Sequence, residues 1–101
     1  MIVRIWRARA DRDGARRYRE HFTESVVPVL GETAGFLGAW LLRLDHPEQV
    51  ELQVVTRWES LDAVRGFAGD DAEAAVVEPA ARAALLDYDA TVTHHEVVVD
   101  A

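Results

Sequence analysis

Hydrophobic positions along the chain change period several times, and each change marks an element. "IVRIWRAR", from Ile2 to Arg9, alternates Ile2, Arg4, Trp6 and Ala8 against Val3, Ile5 and Arg7, the two-residue period of a strand. From Asp13, a helix-capping residue type, the period lengthens. Ala15, Tyr18, Phe22, Val26 and Val29 recur every three or four positions and predict a helix of about four turns. Pro28 should disturb that helix near its end, because it lacks an N–H, and Gly31 is available to stop it. "GFLGAWLLRL" and "QVELQVVTRW" follow as two strands joined by the polar turn "DHPEQ", an antiparallel hairpin with a longer loop. Ser60 caps "LDAVRGFA", with Gly69 as its stop, and Asp70 with Glu73 predicts a further short helix reaching Val77. A helical segment then starts at Pro79, and "YDATVTHHEVVV" returns to alternation.

The order is β-α-β-β-α-β without repeats or linkers. It predicts one α+β domain over residues 1–101: a ferredoxin-like split βαβ plan whose four-stranded antiparallel sheet carries helices on one face. In the second strand Phe36, Trp40, Leu42 and Leu44 share one parity, while Leu37, Ala39 and Leu41 share the other, so both faces are apolar. Helices on one side leave the other in water, at about 25 cal/mol per Å² of apolar surface. The expected remedy is a homodimer with two sheets packed face to face as a barrel.

Composition narrows the chemistry. The chain has no cysteine, which excludes disulfides, thiolate catalysis and cysteine-ligated metals. Its net charge is −7, yet Arg4, Arg7, Arg9, Arg12, Arg16, Arg17 and Arg19 crowd the first nineteen residues. No groove-reading helix accompanies them, so a solvated, ion-paired face is expected in place of a nucleic-acid surface. No apolar run approaches the length of a membrane span and no signal-peptide order opens the chain, so the cytoplasm is the expected location. The four histidines lack metal-ligand spacing, and the glycines form no phosphate loop or dinucleotide fingerprint; neither a metal nor a bound cofactor is expected.

Gly35 and Phe36 opening the second strand, Trp58-Glu59-Ser60 closing the third, and the tail "YDATVTHHEVVV" resemble the antibiotic biosynthesis monooxygenase-like family of dimeric α/β barrels. The resemblance covers nearly the whole chain. It implies a homodimer with a pocket in each subunit, and a range of activities from metal-free and flavin-free oxidation of phenolic polyketides to heme degradation. Phe67 and Gly69 stand where a heme-binding or acid–base histidine would be sought, which turns the expectation away from heme.

Within that frame the candidate catalytic residues are His94, as the base taking a phenolic proton, and Arg43, balancing the resulting charge. Trp58 is the candidate for stacking on an aromatic substrate, with Phe22, Trp40, Phe67 and His21 as further substrate-binding candidates. The expected activity is cofactor-independent oxygenation of a small aromatic or polyketide-like molecule. A non-catalytic ligand-binding or accessory role, and a cyclase or isomerase, are the alternatives.

Overall fold

A computed structural model describes the whole chain, Met1–Ala101. Strand β1 (Ile2–Ala10) leads into helix α1 (Arg12–His21), a π-helical turn (Phe22–Val26) and helix α2 (Val27–Glu32). Strands β2 (Phe36–Asp45) and β3 (Val50–Trp58) form the hairpin, followed by α3 (Leu61–Ala68), α4 (Pro79–Ala84), and the short strands β4 (Asp87–Tyr88) and β5 (Thr93–Glu96). The sheet is antiparallel, in the order β2-β3-β1-β4, with β5 also paired to β1. This is the predicted α+β, ferredoxin-like plan. No helix is long and apolar enough to cross a membrane.

Local chemistry explains the boundaries. Asp11, two residues before the predicted cap, accepts a hydrogen bond from the Gly14 amide at 2.6 Å and starts α1. The predicted disturbance before Pro28 takes the form of the π turn: Pro28 cannot donate to the carbonyl of Glu24, and the preceding turn widens to keep the chain helical. Ser60 caps α3 by accepting from the Ala63 amide, and Gly69 ends it at φ 84°, a conformation that costs glycine little.

Two expectations are corrected. Asp70 to Val77 is not a helix. Its backbone pairs with residues 90–92 instead: the Ala75 amide donates to the Ala90 carbonyl, the Val92 amide donates to the Glu73 carbonyl, and Ala74 bridges Thr91. These tertiary partners outweigh the weak helix preference of an acidic, alanine-rich run. The second correction concerns Phe36. A β-bulge between Phe36 and Gly38 shifts the register, so Phe36 shares a face with Ala39 and Leu41 and not with Trp40.

The core lies between the helices and one sheet face. Trp6, Ala8 and Ala10 from β1, and Val50, Leu52 and Trp58 from β3, meet Ala15, Tyr18, Phe22, Leu30 and Val64 from the helices. Trp58 is fully buried, with Phe36 against its edge at 5.3 Å. On the opposite face Trp40 is 52% exposed, and Leu42 and Leu44 are exposed beside it.

Candidate functional site

A cleft opens between the covered sheet face and the helices, holding about 580 Å³ of empty space, its mouth included. Its floor is built by the inward parity of β1 and β3: Arg4 and Trp6 lie opposite Thr56 and Val54 in the strand register. Tyr18 and His21 reach it from α1, Val26, Val29 and Leu30 from the π turn and α2, and Phe67 from the last turn of α3. The segment between α3 and α4 closes it with Val76 and Glu78.

The wall is mainly aromatic. Trp6 and Tyr18 lie 5.9 Å apart between ring centroids, and Tyr18 and His21 are separated by the same distance. The indole N–H of Trp6 donates to the Asp89 carbonyl at 2.7 Å, which leaves the ring face for packing. Burial, reinforced by the carboxylate of Glu78, pushes the Tyr18 phenol well above its ordinary pKa, so it stays a neutral hydroxyl.

Arg4 is the unusual member. It is 6% exposed, its Nη2 donates to the Ala74 carbonyl at 2.9 Å, and its buried Nε has no partner. Burial lowers its pKa to about 10, from the usual 12.5. The Phe67 ring lies 5.8 Å from its Cζ, a favourable cation–π distance that gives Nε no in-plane acceptor.

The sequence-chosen residues are dispersed. His21 and Phe67 line the cleft. Trp58 stands one layer behind it: its Nε1–H donates to Thr56 Oγ1 at 2.7 Å, and its ring packs 5.9 Å from Phe67. His94, on β5, is the cross-strand neighbour of Arg4 and is not among the lining residues. Burial, helped by the positive charge of Arg4, lowers the His94 pKa, and its buried Nε2 has no partner. Arg43 and Phe22 border a separate groove at the β2 edge with Arg16 and Arg19, where Arg43 pairs with Asp45 at 2.6 Å. Trp40 lies on the far face of the sheet, with the Arg57 guanidinium 5.1 Å from its ring. His94, Arg43 and Trp58 therefore do not converge on one space.

Arg4, Trp6, Tyr18, Thr56 and Glu78 were not singled out by sequence. One signal was available: within the parity Ile2, Arg4, Trp6, Ala8, an arginine interrupts the row that packs against the helices. A charge in a core-facing row requires a local reason.

No protein of curated function matches the sequence significantly. Two solved structures span all of the chain at 28% identity. One is the heme-degrader MhuD from Mycobacterium tuberculosis with two hemes bound in its active site (TM-score 0.64, 99% of that chain covered). The other is an arginine-to-serine mutant of MhuD with two manganese protoporphyrin IX bound per active site (TM-score 0.62, 98% covered). The family model described as antibiotic biosynthesis monooxygenase matches residues 1–79, and the chain belongs to that family.

Proposed function

We propose that the protein binds a small, flat aromatic molecule in the cleft under the helices and oxidises it with molecular oxygen, without metal or flavin. The observation carrying this reading is the aromatic wall of Trp6, Tyr18 and Phe67 around a space that also receives one imidazole, His21. Aromatic walls hold a planar ring by offset stacking, and an imidazole beside it removes an acidic proton. His21 replaces His94 as the base in this reading, because it borders the cleft itself.

The chemistry is balanced by oxygen alone. The base takes a proton from the substrate, and the resulting carbanion passes one electron to O2. Substrate radical and superoxide join as a carbon hydroperoxide, which loses water to leave a carbonyl: CH2 plus O2 gives C=O plus H2O. The protein supplies orientation, the proton acceptor and shelter from bulk water.

Heme fits this donor set poorly. Trp6 and Tyr18 occupy the floor, Arg4 is already tied to Ala74, and Glu78 sets a carboxylate where a macrocycle with two propionates needs cations. No step of the proposal runs through it. A heme titration without a Soret shift supports that exclusion, and a saturable shift overturns it.

We further propose a homodimer formed through the exposed face carrying Trp40, Leu42 and Leu44. Oxygen consumption with anthrone-type and quinol substrates tests the activity. His21→Ala should lower turnover by about 100-fold or more. Tight binding of these compounds without oxygen uptake would favour the second reading, a ligand-binding protein without catalysis.

A further inference from the structure

Arg4 is a buried cation for which the fold supplies no anion. The chain carries 18 acidic residues against 11 arginines, yet none of its ion pairs includes Arg4. Taking a charge out of water without a counter-charge is costly, and buried charges are ordinarily paired. The charged and titratable groups around it are His94 on β5, Glu73 and Glu78 on the closing segment, and Tyr18 and His21 on α1. His94 is held toward its neutral form, so the guanidinium has no competing cation beside it.

We propose that Arg4 is the oxyanion receptor of the cleft, and that the ligand is a hydroxylated arene or enol bound as its monoanion. The oxygen takes the free Nε–H, and the ring lies along Trp6, Tyr18 and Phe67. With Nη2 turned to the Ala74 carbonyl, the guanidinium does not offer the parallel pair of N–H groups that a carboxylate grips bidentately. A single acceptor atom on a flat ring matches what remains. Glu78 on the opposing wall repels a second negative charge, which selects monoanions over dianions. The same contact has a chemical consequence: stabilising the oxyanion raises the share of the electron-rich form that O2 oxidises.

This inference rests on the cleft being a ligand site, and its test does not depend on oxidation. The probe is 4-nitrophenol, whose phenolate absorbs visible light, titrated with pH in the presence of the full chain. Bound probe should ionise about tenfold more readily than free probe, the change expected of an acid beside an opposite charge. Arg4→Gln should abolish that increase, and Arg4→Lys should restore part of it. Ionisation of the bound probe that is unchanged or suppressed in the wild type overturns the proposal, as does absence of binding at millimolar probe or equal affinity for benzoate. The wild-type titration decides the matter even if Arg4→Gln fails to fold. A normal ionisation shift with no oxygen uptake on any substrate would sink the oxygenase reading alone.

Discussion

On the sheet face turned toward the helices, Trp6, Leu52 and Trp58 are buried among helix side chains, whereas on the other face Trp40, Leu42 and Leu44 stand in water. The same three long strands supply both sets. What differs is the neighbour: helices cover one face within the chain, and the other is left for a second copy in our proposal. The covered face is incompletely filled, and the gap left between sheet and helices is the cleft. Stability and ligand binding thus compete for one surface, while assembly is assigned to the other.

The largest expected effect breaks the symmetry of the two tryptophans. Trp58→Ala should cost about 3–5 kcal/mol in urea unfolding, since it opens a cavity in a closed core. Trp40→Ala should change the unfolding of the dissociated chain by no more than ~1 kcal/mol, because the ring is half in water and loses chiefly its contact with Arg57. Equal losses would mean the two faces are not energetically distinct.

Next comes assembly. Leu42→Glu puts a charge in the exposed apolar face and should weaken self-association by about 10–100-fold, or ~1.4–2.7 kcal/mol, in sedimentation equilibrium, with the monomer's fold intact by circular dichroism. An unchanged association constant would remove this face from the interface.

On the covered side, Gly14→Ala sharpens the contrast in a different way. A Cβ at Gly14 would run into the Ala84 carbonyl oxygen, where α1 crosses α4. The expected loss is about 1–3 kcal/mol, read by thermal unfolding, as backbone does not yield as a side chain would. Gly31, with open space around it, should accept alanine with little change.

The smallest effect concerns pH. Burial and then Arg4 lower the His94 pKa in the fold, so folding disfavours its proton. Stability attributable to His94 is whole above the ordinary histidine value of 6.5, and is lost as the pH falls from there through the lower folded value. His94→Gln should flatten that part of the stability–pH curve, while His46→Gln, in an exposed loop, should not.

How much of this was legible in the sequence follows from which forces act locally. The strands and the helices after Asp11 and Ser60 were readable because periodicity and capping belong to neighbouring residues. The run Asp70–Val77 was misread as helix because its partners, Ala90 and Val92 and the Arg4 side chain, are distant in the chain. The fate of Phe36 was misread because one bulged residue inverts parity and leaves no clear sign in composition. For the site, the aromatic types were recognised as ligand-binding material, but their faces were not: Trp40, Trp58 and Trp6 are alike in sequence, and register sends one to solvent, one behind the cleft and one into its wall. Arg4 was visible only as part of an arginine-rich start, until the sheet turned it inward.

Backbone amide chemical shifts, followed as 4-nitrophenolate is added to the full chain, separate the two faces in one experiment. The account predicts that the largest changes fall at Arg4, Thr56, Phe67, Ala74 and Val76, with Trp40, Leu42 and Leu44 unmoved. Changes centred on Trp40, Leu42 and Leu44, with Arg4 and Phe67 silent, would contradict it.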